Sequence, residues 1–78
     1  MIPMKILKIQ WIDSKAAPNE WEYLDNLDSL KPVMCTSIGF LIEETAAYKT
    51  LAQSLSSSQV CGRVTIPVSC IKKCKQLK

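Results

Sequence analysis

Hydrophobic and polar residues alternate along much of this chain with the period of two that is typical of β-strands. Residues 4–12 begin the pattern, with Leu7, Ile9 and Trp11 on one face and polar side chains between them. The alternation predicts a first strand with one face in a core.

The longest alternating stretch covers residues 34–43 and predicts the main strand of the fold. Gly39 lies within it, and a glycine inside a strand marks a bend or a close contact with another part of the backbone. Small barrels need such bends, because a long strand must curl across both halves of the sheet. A turn at residues 44–47 and a returning strand at residues 47–52 complete a predicted hairpin.

The pattern continues after a polar loop at residues 53–59 with a further alternating strand at residues 60–66. Pro67 ends this strand, because proline cannot donate a hydrogen bond to a ladder. Several short strands with short connections, within one domain of residues 1–78, predict a mainly β fold in the form of a compact five-stranded barrel.

The last segment, residues 68–77, has two interpretations. A helix would present four apolar or thiol side chains on one face: Cys70, Ile71, Cys74 and Leu77. Alternatively, a 3₁₀ turn at residues 67–70 leads into a short strand at residues 71–76. We favour the turn and strand, because a five-stranded barrel needs that strand to close.

Residues 13–33 lack the strand pattern and hold one possible helix, from residue 20 to residue 27. Acidic residues near its start suit a helix N-terminus. The three-residue spacing of Trp21, Leu24 and Leu27 predicts an apolar face that plugs one end of the barrel.

A chain of 78 residues is short for a self-sufficient core. A domain of about 60 residues buries only roughly 60% of its unfolded surface. Self-association is a common remedy when disulfides and metals are absent, and we therefore expect a homo-oligomer.

Charge is distributed unevenly along the chain. Residues 1–59 carry five lysines and all seven acids, a net charge of −2, whereas residues 60–78 carry five basic residues and no acid, a net charge of +5. A basic cluster of this kind can bind phosphates or can simply act as a solvated, solubilising end.

The reactive residue types argue against catalysis and metal binding. There is no histidine, the commonest general acid–base residue, and two glycines cannot form a Gly-rich phosphate loop. The cysteines have no Cys-x-x-Cys spacing, so we expect reduced, buried thiols and no zinc: Cys35, Cys61, Cys70 and Cys74. We expect a protein without enzymatic activity or cofactor.

The N-terminal segment predicts neither a signal peptide nor a membrane span. Lys8 and Gln10 interrupt its apolar stretch, and no apolar run in the chain approaches the roughly 20 residues of a membrane span. We expect a cytoplasmic location and no membrane partner.

Two stretches resemble the motifs of the Sm-like and SH3-like small barrels. Residues 37–44 (Ser-Ile-Gly-Phe-Leu-Ile-Glu-Glu), followed by residues 48–51, resemble the first Sm motif, and residues 62–71 (Gly-Arg-Val-Thr-Ile-Pro-Val-Ser-Cys-Ile) resemble the second. The resemblance implies an Sm-like barrel that oligomerises and binds RNA or single-stranded DNA. Bacterial Sm-like RNA chaperones carry a Lys-His pair where this chain has Val68 and Ser69, which weighs against their uridine pocket.

The chain also resembles small proteins encoded by bacteriophages and prophages. The shared features are Trp11-Ile12-Asp13, the stretch S-x-G-F-L-x-E-E and the ending C-G-R-x-x-I-P-x-S-x-I. This resemblance implies an accessory protein of the host cytoplasm, namely a host-defence inhibitor that sequesters a nucleotide signal or binds a host protein. A structural or assembly role is a further alternative.

The candidate binding residues follow from charge and hydrogen-bonding capacity. An arginine can grip a phosphate through two hydrogen bonds, and a serine-rich loop offers hydroxyl and backbone N–H groups. The phosphate-binding candidates are Arg63, Ser54, Ser56, Ser57, Lys72 and Lys73. The base-stacking candidates are Trp11 and Tyr48. The structural alternatives are a plain solvated serine loop and a Trp11 side chain within the core.

Overall fold

Five antiparallel strands and two single 3₁₀ turns make up the structure, a computed structural model that describes residues 4–77. The strands are β1 (Ile6–Asp13), β2 (Val33–Glu44), β3 (Tyr48–Leu55), β4 (Val60–Pro67) and β5 (Ile71–Leu77). The 3₁₀ turns are Leu24–Asn26 and Val68–Cys70. The mainly β class is confirmed, and so is the turn and strand in the last segment.

The strands form one sheet in the order β4-β3-β2-β1-β5, with every neighbouring pair antiparallel. β4 and β5 are therefore the two edges. No ladder joins them within residues 4–77, so the strand pairing describes an open five-stranded sheet.

Strand β2 changes partners along its length. Its first half pairs with β1 from Val33 to Phe40, and its second half pairs with β3 from Phe40 to Glu44. Gly39 lies next to this change of partner, and a Cβ placed there would be 2.6 Å from the Ala52 carbonyl oxygen. Of the two alternatives at Gly39, a bend or a close backbone contact, the structure shows the close contact.

The core is small and lies on one face of the sheet. Its buried members come from β1, β3 and β4: Leu7, Ile9, Leu51 and Ile66. Three partly buried side chains pack around them: Trp11, Leu41 and Ile71. The predicted inward face of β1 is confirmed, because alternate residues of that strand supply half of the buried cluster.

The prediction of a helix at residues 20–27 is wrong. Only Leu24–Asn26 form a single 3₁₀ turn, and Trp21, Leu24 and Leu27 are exposed instead of plugging one end of a barrel. Isolated helices shorter than about 12–15 residues are marginal in water, so most helices in proteins depend on packing of an apolar face. This segment has no such packing.

All four cysteines are free thiols, but they are not all buried. Cys35 and Cys70 are half-buried, whereas Cys61 on β4 and Cys74 on β5 are exposed. The expectation of uniformly buried thiols is therefore wrong for the last two. Among residues 4–77, no helix has the length and apolar character needed to cross a membrane.

Candidate functional site

A cleft of about 390 Å³ opens where the first half of β2 separates from β3. Three segments line it: residues 36–38 of β2, residues 51–53 of β3 and residues 62–64 of β4. The β2–β3 ladder begins only at Phe40 and Ala52, so the β2 residues of the lining have no partner on β3. The change of partner along β2 therefore creates the cleft.

Arg63 supplies the positive charge of the cleft. Its neighbour across the β3–β4 ladder is Ala52, and within the described residues it forms no ion pair. Gly62, next to it, has a φ of +73°, and a Cβ there would lie 2.9 Å from Gln53 Oε1. This left-handed conformation favours glycine and sets the path of the strand on which Arg63 is presented.

Thr36 and Ser37, two hydroxyl-bearing residues, also line the cleft. The Trp11 indole N–H donates a hydrogen bond of 3.0 Å to Ser37 Oγ. Because the serine oxygen accepts this bond, its own O–H remains able to donate to a ligand. Trp11 packs against the core, so the core holds the indole that orients Ser37. Trp11, one of the two stacking candidates, is therefore partly buried against the core, which fits its structural alternative.

The serine loop forms a separate depression of about 490 Å³ at the end of the β3–β4 hairpin. Ser54 and Ser56 line it, whereas Ser57 lines neither this depression nor the Arg63 cleft. Ser56 Oγ accepts from the Gln59 backbone N–H at 3.0 Å, which fits the structural alternative of a closed turn. The serines and Arg63 are therefore not brought together in one cleft.

Lys72 and Lys73 lie on β5, the opposite edge of the sheet from Arg63. Lys73 lines a cleft of about 160 Å³ with Lys8, Gln10 and Lys75, and no acid of the described part of the chain lines it. Sequence reasoning missed Lys8, although its position on the polar face of β1 was a usable signal. The sequence pattern did not reveal that β5 pairs directly with β1.

Tyr48 and the adjacent charged residues form a local group at the β2–β3 hairpin. The negative charge of Glu43, aided by desolvation and a hydrogen bond, raises the pKa of the half-buried Tyr48. Lys49 Nζ donates a hydrogen bond to Glu44 Oε2, which lowers the pKa of Glu44 and raises the pKa of Lys49. Both partners of this ion pair therefore stay charged at neutral pH.

Comparisons with protein-family models, with curated proteins and with solved structures found no match. The Arg63 cleft is the place where the described residues combine a cation without an ion-pair partner, two hydroxyl groups and a concave surface.

Proposed function

We propose that this protein is a non-catalytic binding protein that captures a small phosphorylated ligand, namely a nucleotide, in the cleft beside Arg63. The observation that carries the proposal is that Arg63, which has no ion-pair partner among residues 4–77, lines the same cleft as the hydroxyl-bearing residues Thr36 and Ser37. Guanidinium groups bind phosphates with two parallel hydrogen bonds. The volume of about 390 Å³ lies within the roughly 300–1,000 Å³ of small-molecule sites.

The lining of the cleft supports binding without turnover. Among the described residues, the lining contains hydroxyl, amide, guanidinium and apolar groups, but no carboxylate, amine or thiol that would act as a general base or a nucleophile. The acids of β2 lie at the other end of the strand from residues 36–38, where Glu44 pairs with Lys49 and Glu43 lies against Tyr48.

The role that fits such binding is sequestration of a host nucleotide signal by a phage-type accessory protein. The resemblance to phage and prophage proteins supports this part of the proposal, and binding alone lowers the free concentration of a signal. The action would take place in the host cytoplasm.

An Sm-like or SH3-like barrel that self-associates is part of the same proposal. Five antiparallel strands with a 3₁₀ turn directly before the last strand support the resemblance. Among the described residues, only four large apolar side chains are buried, whereas eleven are exposed. A second copy would cover part of that surface.

Replacing Arg63 with alanine should weaken nucleotide binding by roughly 10- to 100-fold, since hydrogen bonds to charged groups contribute about 1.5–3 kcal/mol. The melting temperature of the free protein should stay unchanged, because Arg63 is exposed. The measurement is isothermal calorimetry with mononucleotides, linear dinucleotides and cyclic dinucleotides, after a thermal-shift screen of the same compounds.

Lys72→Ala is the matched control, because it removes the same charge at the opposite edge of the sheet. Equal losses in the two variants would show nonspecific charge attraction and contradict a site at Arg63. A screen in which no nucleotide raises the melting temperature would contradict capture of a nucleotide. Binding of single-stranded oligonucleotides alone, falling steeply with salt, would instead support the Sm-like nucleic-acid-binding alternative.

A further inference from the structure

Residues 14–32, here called the arm, join β1 to β2 and leave large apolar side chains uncovered. Trp21, Tyr23 and Leu24 are each more than 80% exposed, with values of 102%, 82% and 86%. The molecule is 57 Å long but only 23 and 21 Å in its other two dimensions. Three large exposed apolar side chains within four residues of the sequence point to an interaction site.

The arm is acidic as well as apolar. It carries four acids, Glu20, Glu22, Asp25 and Asp28, against two lysines, which gives a net charge of −2. Acids alternate with the apolar residues, as in Glu20-Trp21-Glu22. A surface that binds the arm should therefore combine apolar contacts with positive charge.

The outer surface of β2, β1 and β5 has this combination, and we call it the basic face. It is defined by two exposed apolar residues and three lysines: Met34, Ile38, Lys8, Lys73 and Lys75. The strand register places Ile38, Lys8 and Lys75 in one row across the three strands. The apolar part and the positive part are thus neighbours.

The basic face carries an unfavourable charge arrangement within one chain. Lys8 and Lys75 lie directly opposite each other on adjacent strands, and like charges in that position destabilise a sheet. Among residues 4–77, no acid lines the cleft that they share with Lys73. A carboxylate from another surface would relieve this repulsion.

We propose that the arm of one copy docks on the basic face of a second copy. Trp21 and Leu24 pack against Ile38 and Met34, and the acids of the arm meet the lysines. Each chain has one arm and one face, so the arm–face contact forms twice in a two-fold dimer. This inference rests on the self-association proposed above and does not need the Arg63 ligand.

The geometry favours a second copy over the same chain. The arm leaves the sheet at Asp13 and returns at Val33, and residues 21–32 between them are all exposed. The arm is therefore not folded over its own basic face. A stable interface takes about 20–30 residues from each partner, a number that one arm and one face together can supply.

Charge reversal tests the proposal by analytical ultracentrifugation over a concentration series of the full chain. The wild type should dimerise, and Glu22→Lys or Lys75→Glu alone should each weaken the dimer by about tenfold, because each places like charges together. The combination of the two should restore the affinity. Trp21→Ser should weaken the dimer by about tenfold or more. Lys75→Glu should raise the melting temperature of the monomer, since it removes the repulsion with Lys8.

Glu43→Lys is the matched control for Glu22→Lys, because it makes the same change in net charge on the β2–β3 hairpin. A dimer that is unaffected by the arm and face variants would overturn the docking but leave self-association in place. A wild type that stays monomeric throughout the series would overturn both. Neither result would abolish nucleotide binding that depends on Arg63, so a failure of the docking can be distinguished from a failure of the proposed function.

Discussion

Replacing Gly39 with valine should leave little or no folded protein. A Cβ at this position would lie 2.6 Å from the Ala52 carbonyl oxygen and 3.2 Å from both the Ala52 carbonyl carbon and Leu51 Cβ. The clash is mainly with backbone, which cannot move aside as a flexible side chain can. Overpacking of a core typically costs about 1–3 kcal/mol, and here the β2–β3 ladder must open as well.

The loss of unfolding free energy expected for Gly39→Val is large relative to the total stability of the protein. At about 0.05–0.15 kcal/mol per residue, a chain of this length has a free energy of unfolding of roughly 4–12 kcal/mol. Thermal and urea unfolding followed by circular dichroism would measure the loss. Gly39→Ala should already destabilise the protein, because the Cβ itself makes the close contact.

Thr36→Val is the control for Gly39→Val, because it places the same side chain at an exposed position of the same strand. We expect its unfolding to stay close to that of the wild type. Normal melting of Gly39→Val would contradict the close approach of β2 and β3 at Gly39.

Replacing Ile9 with alanine should cost about 2–5 kcal/mol of unfolding free energy, the usual range for a buried isoleucine. Ile9 is 0% exposed and lies on β1, between β2 and β5. It belongs to the same cluster as Leu7, Leu51 and Ile66. With so few buried side chains, the loss of one removes a large share of the core.

Ile38→Ala is the matched control, because it makes the same chemical change at a residue that is 56% exposed. Surface substitutions usually change stability by less than about 0.5 kcal/mol. The loss of unfolding free energy, measured with urea, should therefore be several-fold larger for Ile9→Ala than for Ile38→Ala. Equal effects would show that the core is not where the structure places it. The comparison should be made at a concentration where the wild type is monomeric, because Ile38 also lies on the basic face.

The strands could be predicted from the sequence because alternation is a local property. The stretches around Leu7, Gly39 and Val64 carry the period of two, and each became a strand within a few residues of the expected bounds. Local periodicity could not rule out the predicted helix at residues 20–27. Its apolar spacing was suitable, but a helix of that length needs a surface to pack on, and the fold supplies none.

The candidate site was only partly accessible to sequence reasoning. Arg63 stood out as the basic residue of an alternating strand, and the structure places it in a cleft. Ser37 did not stand out, because its importance depends on the hydrogen bond from Trp11, a residue far away in the sequence. The serine loop attracted attention by composition alone, and its Ser56 hydroxyl closes the local turn.

By itself, the sequence determined the class of the fold, the inward face of β1, the special position of Gly39 and the lack of a histidine-based chemistry. These follow from residue type and short-range periodicity, which act before any long-range contact forms. Only the tertiary structure decided that β2 leaves β3 to open the Arg63 cleft, that Lys8 lies opposite Lys75, and that the arm stays exposed. Each of these depends on which strands pair and in which register, and pairing between distant segments is set by the packing of the whole chain.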